Sequence, residues 1–312
     1  MADFAVQART SAISAPAVTR PALRLPEHCK SPARPSPAVF EMKRMLRRRG
    51  LHSVCEEARC PNLAECFARG TVTFMLLGDV CTRACRFCHV ATGLGRPVDP
   101  REPEQVAAAA AELGLRHAVL TSVNRDDLPD QGSTQFARTI EALRRSAPGA
   151  SVEVLTPDFR GDAECIDRVA GARPEVYNHN LETVPRLYRE VRIGARYDRS
   201  LALLSRVKAH HPEILTKSGL MLGLGETRDE LVAVFRDLRD ASVDCLTLGQ
   251  YLRPTLRHRP VTRYLEPGEF AELRGAAQAL GFRHVESGPL VRSSFHADTA
   301  LDLLSPLRGL RP

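Results

Sequence analysis

Three cysteines stand close together in the stretch Cys81-Thr-Arg-Ala-Cys85-Arg-Phe-Cys88, with the spacing C-x3-C-x2-C. An apolar, β-prone run over 71–77 precedes them and ends at Gly78, which predicts a strand that delivers the thiols into the following loop. Thiolates gathered in this way bind iron–sulfur clusters or zinc. Because three ligands leave one metal corner without a protein ligand, a further molecule can bind there.

A second triplet lies upstream, in Cys55-Glu-Glu-Ala-Arg-Cys60-Pro-Asn-Leu-Ala-Glu-Cys66, with the spacing C-x4-C-x5-C. It precedes the first predicted strand, so we expect it outside the core of the fold. Zinc normally takes four ligands, and neither triplet has a fourth cysteine. Two triplets therefore favour two clusters over one zinc site of six cysteines. The remaining cysteines, Cys29, Cys165 and Cys245, are expected to take no part.

Composition limits the class of protein. Of 312 residues, 43% are hydrophobic and 26% charged, which is typical of a globular protein, and no apolar run is long enough to span a membrane. The net charge of +7 lies in residues 1–50, with ten Lys/Arg against three Asp/Glu, so the rest of the chain is neutral. That balance and the lack of Trp argue against nucleic-acid binding. Cysteines concentrated in 55–88 favour metal ligation in a reducing compartment over a disulfide scaffold.

Helical and strand-like segments alternate along the chain after the cysteines, which predicts a parallel sheet. The predicted strands are 71–78, 117–123, 151–155, 175–180, 214–222 and 243–249. The predicted helices are 102–113, 133–146, 162–171, 184–189 with 198–210, 227–241 and 267–280. Six βα units fall short of the eight in a closed barrel. We therefore predict an α/β fold, a partial (β/α)6 TIM-like barrel that is open.

Polar residues follow several of these strands, at the edge where such folds bind ligands. They are Thr121–Asp127, Asn178–Glu182, Lys217–Glu226 and Gly249–Tyr251. Because four such segments meet on one rim, the sequence predicts a binding site there. His179 alone is expected to be a structural loop histidine rather than a metal ligand.

The C-x3-C-x2-C spacing resembles the radical S-adenosylmethionine (SAM) superfamily, in which three cysteines hold a [4Fe-4S] cluster whose fourth iron binds SAM. The two triplets, joined by a Gly-Thr-x-Thr-Phe-Met strand, resemble the lipoyl synthase family more specifically. The resemblance covers about residues 40–298. It extends to Arg125-Asp-Asp-Leu-Pro129, Asn178-His-Asn-Leu-Glu-Thr-Val184, Lys217-Ser-Gly-Leu-Met221, Gly223-Leu-Gly-Glu226, Gly249-Gln-Tyr-Leu252 and Gly288-Pro-Leu-Val-Arg-Ser-Ser294.

The resemblance implies a role for each matching residue. Cys81, Cys85 and Cys88 would hold the SAM-reducing cluster, and Cys55, Cys60, Cys66 and Ser294 an auxiliary [4Fe-4S] cluster. The implied SAM contacts are Thr121, Ser122 and Asn124 at the methionine end, Asn180 and Glu182 at the ribose, and Gly219, Gly223 and Glu226 on the adenine side. The sequence departs from the family at Asn124, where Asp is common, and at Phe295, where Tyr is usual.

The implied activity is radical insertion of two sulfur atoms, at C6 and C8 of an octanoyl chain on a lysine of a carrier protein. The auxiliary cluster would be the sulfur source, and departure of Ser294 from its iron would begin its dismantling. The implied partners are an octanoylated lipoyl domain or H-protein, a low-potential electron donor such as flavodoxin or ferredoxin, and an iron–sulfur carrier that rebuilds the cluster. We expect no nucleic-acid or membrane partner.

The chain is expected to divide into four parts. Residues 1–37 are rich in Ala, Ser, Pro and Arg, which predicts a disordered extension. The resemblance implies that 38–70 is the auxiliary-cluster segment, 71–285 the barrel, and 286–312 a closing segment that carries the serine ligand. Residues 1–37 lack a secretory signal, so we expect a cytoplasmic protein, or an organellar one if they form a transit peptide.

Three alternatives stay open at this point. Another radical SAM enzyme with an auxiliary cluster, of the methylthiolating or biotin synthase type, would share the first triplet but not the Arg-Ser-Ser ligand. A zinc-bound module without catalysis would hold zinc instead of iron. A c-type cytochrome would use Cys85-Arg-Phe-Cys88-His89 to attach haem, which requires export and leaves Cys81 unused.

Overall fold

The structure, a computed structural model, describes residues 23–31 and 36–294. The strands are β1 His52–Ser53, β2 Thr73–Leu76, β3 Val80–Cys81, β4 Ala91–Thr92, β5 His117–Ser122, β6 Ser151–Leu155, β7 Val176–Asn178, β8 Leu215–Leu222, β9 Cys245–Gln250 and β10 His284–Gly288. The α-helices are α1 Pro37–Arg48, α2 Val54–Glu57, α3 Leu63–Ala68, α4 Glu102–Glu112, α5 Ser133–Ser146, α6 Ala163–Gly171, α7 Tyr188–Val191, α8 Tyr197–His210, α9 Arg228–Asp240 and α10 Pro267–Ala279. Short 3-10 helices cover Glu27–Cys29, Phe159–Gly161 and Pro185–Leu187.

Eight strands form one sheet in the order β1-β2-β5-β6-β7-β8-β9-β10. Every neighbouring pair from β2 onward is parallel, and only β1 runs antiparallel, against β2. Within the described chain, β1 and β10 are the two edges of this sheet and do not pair with each other. This order confirms the predicted open, partial barrel of parallel strands.

The central strands are buried on both faces, as expected when helices cover a parallel sheet. In β2 all four residues are buried, and Phe74 and Leu76 are fully inaccessible. The long β8 is likewise buried at seven of its eight positions. Burial of this kind fixes the strand ends rigidly, so the loops that follow them start from well-defined points.

Strand β10 extends the sheet beyond the predicted six units. It pairs with β9 in parallel register, with Val285 beside Leu246 and Gly288 beside Gly249. The sequence pattern missed it because the segment has one apolar side chain, Val285, and alternating burial. The consequence is that the chain beyond Gly288 leaves the sheet at the same rim as the other strand ends.

The N-terminal extension is described only in part. Residues 23–31 contain the 3-10 helix Glu27–Cys29, in which the Cys29 side chain is buried. Residues 1–22, 32–35 and 295–312 lie outside the described residues, and the last of these ranges begins with Phe295. Among the helices of the described ranges, none combines the length and the hydropathy that a membrane crossing requires.

Candidate active site

A cavity of about 490 Å³ opens at the carboxyl ends of the parallel strands. Residues from both cysteine triplets line it, together with the C-terminal segment. They include Cys55, Cys60, Cys81, Cys85, Cys88 and Ser294. Cys66 is not among the lining residues; burial, and after it the proximity of Cys60, raises the pKa of the Cys66 thiol to about 11. One chamber thus brings together residues that stand 239 positions apart in the chain, from 55 to 294.

The loop with Cys81, Cys85 and Cys88 is attached to the end of β5. The Thr82 amide and hydroxyl both donate to the Asn124 carbonyl oxygen, at 3.0 and 3.1 Å. The guanidinium of Arg83 is paired with Asp126 and with the fully buried Asp158, each at 2.7 Å. Charge-assisted bonds to two separate carboxylates hold this side of the loop in one position.

The opposite side of the same loop is attached as firmly. The Arg86 amide donates to the Val191 carbonyl oxygen at 3.0 Å, and its own carbonyl accepts from the Arg259 amide at 2.9 Å. His258 donates through Nε2 to the Cys88 carbonyl oxygen at 2.9 Å. The three thiols are therefore oriented by the protein fold itself.

Burial favours the protonated thiol at five cysteines of the two triplets when no metal is bound, namely Cys55, Cys60, Cys66, Cys85 and Cys88. Burial raises the pKa of Cys55 and of Cys85 to about 12, and that of Cys88 to about 11. A thiol must lose its proton to bind a metal, so loading these sites releases protons. Once deprotonated, these cysteines provide the thiolate ligands that iron–sulfur clusters require.

Among the described residues, no three His, Cys, Asp or Glu side chains are close enough to hold one metal ion. The chemistry of the donor set, three thiols in each triplet, is that of iron–sulfur cluster ligands.

The segment with the second triplet is carried by two short helices. The Ser53 hydroxyl accepts from the Glu56 amide at 3.3 Å and begins α2. The Asn62 side chain, just before α3, donates to the Leu290 carbonyl oxygen at 2.7 Å. These bonds place the second triplet against the C-terminal segment.

The C-terminal segment crosses the end of β9 at Gly249. A Cβ atom on Gly249 would lie 2.1 Å from the Val291 carbonyl oxygen, a distance no side chain tolerates. The Ser293 hydroxyl accepts from the Asn180 amide group at 2.6 Å, and both Ser293 and Ser294 line the cavity. Gly249 is thus the position that lets this segment reach the site.

Arg292 brings a positive charge to the second triplet. Its Nη1 donates to the Val291 carbonyl oxygen at 2.6 Å, and no acidic residue among those described pairs with it. Burial raises the pKa of the Cys60 thiol, while the nearby Arg292 charge acts in the opposite direction. The guanidinium therefore favours a thiolate, and hence a negatively charged cluster, at this position.

Most of the predicted SAM contacts line the cavity. These are Thr121, Ser122, Asn124, Asn180, Glu182 and Gly219. The Ser122 hydroxyl oxygen and the Asn180 carbonyl oxygen are buried without a hydrogen-bond partner in the described part of the chain. Buried polar atoms are normally satisfied, so these two atoms fit a polar ligand in the cavity. A Cβ at Gly219 would approach the Asn180 Oδ1 to 2.8 Å and close this space.

Two of the predicted SAM contacts, Gly223 and Glu226, are not among the residues that line the cavity. The Glu226 carboxylate accepts from the amides of Gly223 and Leu224, at 2.6 and 2.9 Å. Gly223 has φ +94°, and a Cβ there would lie 2.3 Å from the Arg263 carbonyl oxygen. In the structure these two residues shape the turn that follows β8.

Two other conspicuous polar residues are structural. His179 is fully buried, and its ring nitrogens contact the Thr156 carbonyl oxygen and the Ser200 hydroxyl at 2.9 and 3.0 Å. Lys217, inside the barrel, pairs with the buried Glu153 at 2.9 Å.

Sequence analysis missed Arg192, which lines the cavity near Cys85 and Glu182. Its Nη1 donates to the Tyr188 hydroxyl at 2.7 Å, and the guanidinium lies over the Tyr188 ring. Burial raises the pKa of the Glu182 carboxyl, and the Arg192 charge opposes that shift. No local pattern distinguishes Arg192 from the other arginines of this polar stretch, so a single sequence holds no signal for it.

Comparisons with known proteins agree with this arrangement. Residues 75–238 match the family model of the Radical SAM superfamily. The lipoyl synthase of Methylococcus capsulatus is 58% identical over 277 residues, which cover 88% of this chain and 86% of that protein. The lipoyl synthase of Thioalkalivibrio sulfidiphilus is 53% identical and covers 93% of this chain and 91% of its own length.

Solved structures with low identity share the fold. SuiB from Streptococcus suis, bound to the precursor peptide SuiA, superposes with a TM-score of 0.54 at 13% identity and covers 85% of this chain and 55% of its own. Methylornithine synthase superposes with a TM-score of 0.52 at 13% identity, covering 76% and 81%.

The family model and the relatives confirm the resemblance inferred from the cysteine spacings. The chain is an enzyme that uses SAM and [4Fe-4S] clusters, and both thiol triplets and the shared cavity fit these cofactors. By identity over most of its length, it belongs to the lipoyl synthase family of radical SAM enzymes.

Proposed function

We propose that this enzyme inserts two sulfur atoms, at C6 and C8, into an octanoyl chain amide-linked to a lysine of a carrier protein. The observation that carries the proposal is the single cavity lined by residues of both cysteine triplets and by Ser294. A radical generated at one triplet and a sulfur source at the other must act on the same alkyl chain, and one shared chamber allows this.

On this proposal Cys81, Cys85 and Cys88 hold the cluster that reduces SAM, and Cys55, Cys60 and Cys66 hold the auxiliary cluster. When bound, the first cluster and SAM supply a carbon-centred radical that abstracts hydrogen from the octanoyl chain, and the auxiliary cluster supplies the sulfur. The protein's own contribution is to hold both groups around one enclosed chamber, because a reactive radical must be kept from water.

The proposed SAM contacts divide by chemistry. The Arg192 guanidinium suits the carboxylate of the methionine end, where Thr121, Ser122 and Asn124 supply hydrogen-bonding groups. The proposed ribose contacts are Asn180 and Glu182, and Gly219 leaves room for close approach of the adenine side. Contact of Gly223 and Glu226 with SAM stays a prediction. The Glu226 carboxylate accepts from the Gly223 amide, so the two residues would act on the adenine side by shaping the turn after β8.

Ser294 is the proposed fourth ligand of the auxiliary cluster. A serine alkoxide is a hard ligand and matches poorly with iron in a thiolate cluster. Ser294 would therefore be the weakest of the four ligands of the auxiliary cluster, with Cys55, Cys60 and Cys66 as the stronger three. It would be the position at which the cluster is most easily opened to give up its sulfur.

The proposed partners follow from this chemistry. They are an octanoylated lipoyl domain or H-protein, a low-potential donor such as flavodoxin or ferredoxin, and an iron–sulfur carrier that restores the auxiliary cluster. A reducing compartment such as the cytoplasm suits nine free cysteines. We also propose that the chain divides into an N-terminal extension (1–37), the auxiliary-cluster segment (38–70), the barrel (71–285) and a C-terminal segment with the serine ligand (286–312).

The test gives the anaerobically reconstituted enzyme SAM, dithionite and an octanoyl-lysine peptide. We expect 5′-deoxyadenosine and a peptide mass increase that corresponds to two sulfur atoms. Deoxyadenosine without any sulfur in the peptide would show that the proposed substrate is wrong.

Changing Ser294 to Ala tests the proposed ligand. We expect SAM cleavage to persist while sulfur insertion falls by about tenfold or more, the usual cost of disturbing a metal's ligand environment. Ser293→Ala is the matched control, and it should keep the auxiliary-cluster spectrum of the unmodified enzyme. Lipoyl product formed by Ser294→Ala at the unmodified rate would remove Ser294 from the mechanism.

A further inference from the structure

Leu94 and Leu256 are the most exposed of the large apolar side chains described, at 84% and 78%. Both stand in loops that adjoin the cavity. Thr92 lines the cavity two residues before Leu94, and Pro254 lines it two residues before Leu256. An exposed leucine alone is common, but two beside one cavity mouth point to a contact surface.

The loop that presents Leu256 is held in place. The Arg253 guanidinium donates through Nε to the His258 carbonyl oxygen at 2.8 Å. His258 in turn is tied through Nε2 to the Cys88 carbonyl oxygen, and its Nδ1 lies 2.9 Å from the Thr255 hydroxyl. These bonds hold the loop in a position that leaves the Leu256 side chain exposed to solvent.

The loop that presents Leu94 is fastened separately. The buried Arg125 donates through Nη1 to the Arg96 carbonyl oxygen at 2.9 Å. A Cβ on Gly95 would lie 2.5 Å from the Arg125 Nε, so the loop backbone rests directly on this side chain. Arg125 is itself paired with Asp127 at 2.8 Å. Leu94 is thus presented by a loop with a defined position.

The surface around these leucines carries unneutralised positive charge. Arg96 and Arg257 are exposed, and neither has an acidic partner among the described residues. The acidic side chains of the adjoining loops are already paired with other arginines, as Asp99–Arg101, Asp126–Arg83, Asp127–Arg125 and Glu190–Arg259. A partner that covers this surface would find two free guanidinium groups flanking two leucines.

We propose that Leu94, Arg96, Leu256 and Arg257, here called the rim platform, dock the octanoylated carrier through an acidic face that surrounds its modified lysine. The inference rests on the proposed function. An octanoyl-lysine arm is a lysine side chain extended by an eight-carbon acyl chain, so its tip reaches the cavity only when the carrier body rests on the rim. Complementary charge then orients the carrier, and the two leucines cover apolar surface beside the arm.

The test compares two substrates, an octanoylated carrier protein and a short octanoyl-lysine peptide, with dithionite as the reductant. For Arg257→Glu combined with Leu256→Ser, we expect the KM for the carrier to rise by roughly tenfold or more. The rate with the peptide should be unchanged, because neither residue lines the cavity. Added salt should raise the carrier KM of the unmodified enzyme and have less effect on the variant.

Arg116→Glu is the matched control, since Arg116 is exposed, precedes β5 at the amino-terminal ends of the strands, away from the cavity, and has no acidic partner among the described residues. It should leave both substrates unaffected. An equal KM for the carrier in variant and unmodified enzyme would overturn the docking surface, and so would an equal loss with the peptide. Failure of the unmodified enzyme on both substrates would instead reject the proposed function.

Discussion

The two cysteine triplets face one cavity but are built into the fold in different ways. The loop with Cys81, Cys85 and Cys88 follows a buried strand. It is tied to the backbone at Asn124, Val191 and Arg259 and through the ion pairs of Arg83 with Asp126 and Asp158. The second triplet lies outside the parallel sheet, on α2 and α3.

The charges beside the two triplets also differ. Arg192, near Cys85, belongs to a network with Tyr188 and His179 and faces the acidic Glu182. Arg292, near Cys60, has no acidic partner among the described residues. A rigid setting with balanced charge suits a cluster that returns to its starting state after each cycle. On the proposed function, the uncompensated cation beside Cys60 and the proposed Ser294 ligand would suit a cluster that is loaded, opened and replaced.

The largest expected effects come from removing one cysteine of each triplet, because the two changes should abolish different activities. Cys85→Ala should abolish 5′-deoxyadenosine formation, because a cluster held by two thiolates loses its fixed orientation toward SAM. Cys60→Ala should retain deoxyadenosine formation and lose sulfur insertion. Iron content and product analysis under anaerobic conditions measure both results. Cys165→Ala, which changes a buried thiol outside the cavity, serves as the control and should keep both activities. Deoxyadenosine formed by Cys85→Ala would end the assignment of the first triplet.

A smaller effect is expected at Gly249, where the C-terminal segment crosses β9. Gly249→Ala places a methyl group against the Val291 carbonyl and should displace the segment that carries Ser294. We expect sulfur insertion to fall by about tenfold, with SAM cleavage reduced by no more than a few-fold. The control is Gly275→Ala, where an added Cβ meets nothing within 4 Å. Equal losses of both activities would mean that the segment supports the whole cavity and not only the auxiliary side.

The smallest effect is expected from the unpaired cation. Arg292→Gln removes a positive charge beside Cys60 and should lower the reduction potential of the auxiliary cluster and speed its loss of iron by a few-fold. Arg292→Lys keeps the charge and should restore most of the potential. The measurement is a redox titration followed by electron paramagnetic resonance. A potential that is unchanged in Arg292→Gln would show that the charge is screened from the cluster.

Most of the parallel sheet follows from the sequence because its strands and helices are long and strongly patterned. The strand β10 does not, since a half-buried edge strand with one apolar residue, Val285, resembles a loop. Among the site residues, the cysteines and Ser294 stand in dense motifs, and the structure gathers most of them around the cavity. Arg192 carries no motif and reaches the cavity through tertiary packing alone, which no local pattern reports.

The hydrogen bond from Asn62 to the Leu290 carbonyl joins residues 228 positions apart. A contact of such separation carries a large loop-closure cost, so we expect it to form after the intervening barrel. On the proposed function, the pocket of the auxiliary cluster would then be completed last, on a barrel that is already folded. Spent metal could be exchanged for fresh metal there without unfolding of the barrel.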